Sequence, residues 1–192
     1  VLPYYDFSRS FFKNNNFASF NFVSQGDNIL KDTNSLRSRM INNLDIQSYG
    51  YFTDNGFKNN FNYYLKNTIS AGKNNAEYDS SPHVKFMNVF ELVSSFPLIN
   101  TSDNYSNYLD PKISLRINPS DMKSYKNENR QIRNDNLFNI NRLGLIDTLE
   151  SGNNLTLGLD FKRENLDDIN KYFEFKLGKV LRTKTNNNLP TN

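Results

Sequence analysis

Residues 57–69 read FKNNFNYYLKNTI, and their reading decides the fold. The odd positions, Phe57, Asn59, Phe61, Tyr63, Leu65, Asn67 and Ile69, are mostly aromatic or aliphatic. The even positions, Lys58, Asn60, Asn62, Tyr64, Lys66 and Thr68, are mostly polar. Successive side chains of a strand point to opposite faces, so this is a strand with one apolar and one wet face. It is about twice as long as an ordinary strand of about 5 or 6 residues. Length and one-sided wetness together are what a membrane-spanning barrel requires. They point to the outer membrane of a Gram-negative cell.

The same alternation recurs outward from this run. Leu36, Ser38, Met40, Asn42, Leu44 and Ile46 share a face against Arg37, Arg39, Asn43, Asp45 and Gln47, with Ile41 the apolar exception. Thr53-Asp54-Asn55-Gly56 then carries an Asn-Gly reversal signal. Val84, Phe86, Phe90, Leu92, Phe96 and Leu98 oppose a less clean face of His83, Lys85, Met87, Val89, Glu91, Val93 and Ser95. Leu109, Pro111, Ile113, Leu115 and Ile117 oppose Asp110, Lys112, Ser114, Arg116 and Asn118. Pro111 cannot donate to a ladder and predicts a bulge or a strand start.

Further strands are expected over residues 155–162 and 172–182, the latter with Lys179 as a charge on its apolar face. Two more are expected over 2–12 and 17–24, the second ending in a turn at Gln25-Gly26-Asp27-Asn28. Ala71 to Pro82 reads as a polar loop, and residues 166–173 could form one helical turn. About eight strands joined by reversals predict an all-β antiparallel meander, part of a large outer-membrane barrel. Residues 1–192 form a single segment of it, with a long extracellular loop over 119–150.

Composition fits this reading. The net charge is +3, from 23 basic and 20 acidic residues that are interspersed, which gives no nucleic-acid footprint. Mean hydropathy is −0.72, and no apolar run is long enough for a membrane helix. Cysteine is absent, which removes disulfides and thiolate chemistry. No signal peptide is visible, so the chain is expected to be an internal fragment. The plentiful Asn is read as compositional drift.

The order of residues after Tyr108 resembles the C-terminal barrel domain of the LptD family, the lipopolysaccharide-assembly proteins of the organic-solvent-tolerance group. The similarity rests on Leu109-Asp110-Pro111, then Asp135, Leu137-Phe138, Asn141-Arg142, Gly144, Asp147, Glu150-x-Gly152 and Gly158-Leu159. Thr148 departs from the family, which has Arg there. The family's jellyroll domain and signal peptide are absent from the sequence. The resemblance implies a wall segment of the translocon that inserts lipopolysaccharide into the outer leaflet. It implies lipopolysaccharide, an LptE-like lipoprotein plug, an LptA-like periplasmic bridge and outer-membrane lipid as partners. It implies no bond chemistry and no cofactor.

Read by themselves, the Asp, Asn, Arg and Glu residues of this motif suit a compact loop closed by its own hydrogen bonds. Arg142 could pair with Asp147 or with Glu150, closing the loop over the lumen. An acid/base pair of Asp147 and Glu150 lacks a nucleophile, so no enzyme is expected. His83 is the single histidine and reads as solvated; no metal is expected. Arg37, Arg39, Lys58, Lys66, Lys112 and Arg116 form a basic set on the wet face. They could track an anionic substrate, but Asp45, Glu91, Asp110 and Asp160 on that face suit an ordinary balanced lumen. The alternatives are another outer-membrane barrel, such as a porin or receptor, and a soluble β-sandwich binding module.

Overall fold

A computed structural model describes residues 2–11, 16–31, 34–75 and 78–190. The long strands are β1 (Leu2–Phe11), β2 (Ala18–Lys31), β3 (Ser35–Ser48), β5 (Lys58–Lys73), β6 (His83–Ser95), β8 (Tyr105–Asn118), β9 (Gly152–Asn165) and β10 (Tyr172–Arg182). Two short strands, β4 (Tyr51–Phe52) and β7 (Leu98–Thr101), pair with β5 and β8. The order β1-β2-β3-β5-β6-β8-β9-β10 is sequential, and every pairing is antiparallel. The fold is therefore the expected all-β meander. It is an open sheet with β1 and β10 at its edges, not a closed barrel.

Register fixes the two faces, because a slip of one residue would exchange them. On one face, Phe61 lies opposite Leu92, and Leu92 opposite Leu115, which faces Leu155. The row one step along places Tyr63 by Phe90 and Phe90 by Ile117. The other face carries Lys66 opposite Met87, Glu91 opposite Arg116 and Arg116 opposite Asn154. The apolar face is open: Phe86, Phe90, Ile113, Leu115 and Leu157 are all exposed. Its few polar residues satisfy one another across five strands. The Tyr5 hydroxyl and Ser24 Oγ are 3.0 Å apart, Ser24 donates to Asn42 (2.6 Å), Asn42 to Asn67 (3.0 Å), and Asn67 to the Lys85 carbonyl (3.2 Å).

Several boundaries differ from expectation. The turn predicted at Gln25–Asn28 is mid-strand: β2 runs straight through it in register with β3. Gly26 serves a close approach there, because the Tyr5 ring occupies the space of its missing side chain. Strand β5 continues to Lys73, into the predicted loop. Pro111 starts no strand; it falls where β8 exchanges β7 for β6 as neighbour, while its register with β9 is unbroken. Residues 166–171 are a hairpin turn rather than a helical turn, closed by Lys171 N donating to Asp168 O. Phe12, the predicted last residue of the first strand, lies outside the described residues.

The polar face is covered from within the chain. Residues 119–151, between β8 and β9, fold back across it as a strap. Ile140 and Leu149 of the strap pack on Tyr64, Met87 and Val89. Met122, Tyr125, Leu143 and Leu145 form a second cluster with Ile132 and Leu189.

Candidate functional site

The candidate site is the interface between this strap and the wet face of β5–β10. Its centre is an ion cluster. Arg142 Nε and Nη2 donate to the two carboxylate oxygens of Glu150 at 2.6 and 2.8 Å, and Nη1 donates to Thr156 Oγ1 at 3.0 Å. Arg182, at the end of β10, reaches Glu150 at 3.0 Å. Both Arg142 and Glu150 are 2 % exposed at the side chain. Burial raises the Glu150 carboxyl pKa, but the hydrogen bonds and charges of Arg142, Arg116 and Arg182 outweigh it and hold it below the usual glutamate range.

Arg116 lies in the same layer and is 1 % exposed. Its guanidinium nitrogens make no hydrogen bond among the described residues. Glu91, its register neighbour, is instead held by Ser114 (2.9 Å) and Asn62 (3.0 Å).

Of the two partners the sequence left open for Arg142, the structure uses Glu150. Asp147 instead accepts from the Tyr125 hydroxyl and from Lys123 Nζ (3.3 Å). Burial pushes Asp147 up, yet these two donors bring it net below its ordinary value. Burial and the adjoining carboxylate raise the Tyr125 phenol.

The other motif residues are structural. Leu137 and Phe138 rest on Gly178 and Gly158, which face each other across β9–β10. Asn141 closes a tight loop, accepting from Leu145 N (2.9 Å) and donating to Leu145 O (2.8 Å). Gly144 and Gly152 have φ of +62° and +92°, a region that favours glycine. Thr148 is buried, its hydroxyl accepting from Lys123 N at 3.2 Å. Asp135 is exposed on a turn. Leu109 sits in the apolar rows between Leu98 and Phe161, and Asp110 pairs with Lys112 on the wet side (3.1 Å).

The basic set does not converge on one path. Arg37 and Arg39 clasp Asp27 at 2.6 and 3.0 Å. Lys112 bridges Asp110 and Asp160. Lys66 donates to the Ile146 carbonyl of the strap at 2.5 Å. Lys58 lies apart, near Gly50 at the end of β5. His83 lines a cavity of about 100 Å³ with Arg39 and Lys123. Among the described residues there is no cluster of three or more His, Cys, Asp or Glu that could hold a metal. Arg182, Thr156, Glu91 and Tyr125 were not singled out by the motif; Arg182, Thr156 and Glu91 fall on the wet side of their strands.

No family model matches the chain. It is similar to the DNA-directed RNA polymerase subunit beta of Eimeria tenella, with 28% identity over 197 residues, which covers 95% of this chain and 18% of that protein. The chain thus spans less than a fifth of that relative's length. These findings correct the resemblance to the LptD family. No model of such a family matches, and the relative found is a polymerase subunit. The short motif from Leu109 to Gly158 is explained locally by strap turns, a buried ion pair and two glycine seats, which need no common descent. The lipopolysaccharide, lipoprotein plug and periplasmic bridge implied by that resemblance lose their support with it.

Proposed function

We propose that this chain is a wall of a membrane-spanning β-barrel of the outer-membrane type, with a built-in plug. The apolar rows face lipid and the wet face turns to a lumen occupied by residues 119–151. The observation that carries this reading is an inversion of ordinary polarity. Arg116, Glu91, Arg142 and Glu150 are buried, while Phe86, Phe90, Leu115 and Leu157 are exposed. A soluble domain does the reverse, since charged residues are almost never fully buried unless paired and large apolar patches mark an interface. Long antiparallel strands with satisfied backbone are one of two ways to cross hydrocarbon. No helix among the described residues is long and apolar enough to be the other.

The strap favours a plugged transporter or receptor over an open pore, because it fills the wet face from Met87 to Gly178. No bond-making step is assigned to it. The edges of β1 and β10 would be met by further strands closing the barrel, since unpaired edges are costly in lipid.

The similarity to a polymerase subunit favours a second reading, in which another protein layer of a large soluble assembly covers the apolar rows. Extraction distinguishes the two. The full-length protein should stay with membranes through alkaline carbonate washing and leave only in detergent. Recovery in the soluble fraction, bound to polymerase subunits, would select the second reading.

A further inference from the structure

A cavity of about 400 Å³ lies between the strap and the end of β10, beside the buried ion cluster. Arg130 and Arg133 of the strap and Arg182 of β10 line it, and no Asp or Glu does. Leu137, Leu143 and Leu189 give it an apolar wall. Lys179 borders it as well, but by register its side chain belongs to the opposite, apolar face.

Two of the three guanidiniums are fixed by the fold. Arg130 donates through Nη1 to the Leu143 and Gly144 carbonyls at 3.1 and 2.7 Å, and through Nε to Glu128 at 2.7 Å. Arg182 donates to Glu150 at 3.0 Å. The third is uncommitted. Arg133 engages only its backbone N–H, which donates to Asn136 Oδ1 at 2.8 Å; its guanidinium has no partner among the described residues. Next to it, Asn134 Nδ2 donates to the Lys176 carbonyl at 2.9 Å and ties this part of the strap to β10.

The nearby glutamates do not balance these charges. Glu150 is already gripped by both prongs of Arg142. The four guanidiniums of Arg130, Arg133, Arg142 and Arg182 thus meet two carboxylates, Glu128 and Glu150, and two positive charges are left over. Like charges gathered at one place repel, and an anion among them removes that cost. The guanidinium fork matches the oxygens of phosphate and carboxylate. The volume falls in the range of about 300–1,000 Å³ typical of small-ligand pockets. No Ser, Thr or Tyr lines the cavity, so its wall suits an apolar body better than a sugar.

We propose that this cavity binds a phosphate monoester carried on a compact apolar body. The phosphate, with a charge of about −1.5 to −2 at neutral pH, matches the uncompensated pair of positive charges. It lies among Arg130, Arg133 and Arg182, and the apolar body rests on Leu137, Leu143 and Leu189. The site belongs to the strap side of the sheet, so it stands whichever way the apolar rows are covered.

Phenyl phosphate is the probe, titrated calorimetrically into the purified full-length protein. Inorganic phosphate, benzoate and phenol are titrated in parallel. Phenyl phosphate should give saturable one-to-one binding, inorganic phosphate and benzoate should bind about tenfold more weakly, and phenol should not bind. Arg133→Gln should keep the wild-type unfolding midpoint, because its side chain bonds nothing in the free protein, and should lose about tenfold in affinity for phenyl phosphate. The wild-type affinity should also fall as sodium chloride is raised, a test that needs no variant. No saturable binding of phenyl phosphate, equal affinity in Arg133→Gln, or an affinity indifferent to salt would overturn the site. Inorganic phosphate, benzoate or phenol binding as tightly as phenyl phosphate would overturn the ligand class.

Discussion

Phe138 meets the bare backbone of Gly158 with one edge of its ring: a Cβ added to that glycine would stand 2.5 Å from the ring. Gly178, directly opposite Gly158 on β10, receives Leu137 in the same way. Two adjacent strap side chains thus sit in a recess made by two paired glycines. Gly158→Val should fill that recess at a cost of about 1–3 kcal/mol in overpacking. A β-branched residue favours a strand, so β9 itself should persist. The expected outcome is unchanged strand content by circular dichroism with faster proteolysis within residues 119–151.

The buried pair of Arg142 and Glu150 ties the other half of the strap. Removing one partner of such a pair costs about 3–5 kcal/mol, so Glu150→Gln should lower the unfolding midpoint markedly. Arg142→Lys should not rescue it, because an ammonium cannot reproduce the two-pronged contact.

That pair also sets a pH dependence. Glu150 and Asp147 are both held below their ordinary values in the folded chain. A carboxyl lowered on folding contributes stability that is fully present above its unfolded pKa, about 4.3 for Glu and 3.9 for Asp, and lost as pH falls through the folded value. Thermal midpoints of the wild type should therefore drop steeply below about pH 4.5. Those of Glu150→Gln should drop less.

Much of this fold was legible in the alternation, and the exceptions to it have physical causes. Met87 and Val89 blurred the wet face of β6 because Ile140 and Leu149 cover them, a contact no local pattern announces. The strap has no period of its own, since its bonds are turns and side-chain closures such as Asn141 to Leu145. Its closure over the lumen was expected from its own charges, but which strands it covers escaped the sequence. Gly26 read as a turn because its real role, making room for Tyr5, depends on a neighbouring strand. Arg142 pairing within the loop was foreseeable from its acid neighbours. Arg182 joining the pair was not, because it comes from the far end of β10. Lys179 keeps its predicted place on the apolar face, opposite Leu157.

The faces themselves can be tested by charge. Phe61 points to the exposed apolar side and Asn60 to the wet side, opposite Val93. An arginine facing lipid near the midplane costs about 2–4 kcal/mol. Phe61→Arg should sharply reduce the yield of membrane-inserted protein, and Asn60→Arg should leave it near wild type. Equal yields would mean that the faces are misassigned.

The polar row on the apolar face predicts a further asymmetry. Asn42 both accepts from Ser24 and donates to Asn67, so Asn42→Ala strands two groups and should cost about 1–3 kcal/mol. Asn43 faces the other way, and its carbonyl oxygen has no hydrogen-bond partner among the described residues. Denaturant unfolding should rank Asn43→Ala as the milder change.

What covers the apolar rows is best measured by a nitroxide attached at Leu157→Cys in the reconstituted full-length protein, since the chain has no other cysteine to label. A side chain facing acyl chains is reached readily by dissolved oxygen and hardly by a water-soluble nickel relaxant. One sealed under protein is reached by neither. High oxygen access with low nickel access is the predicted result; low access to both would contradict a wall that faces lipid.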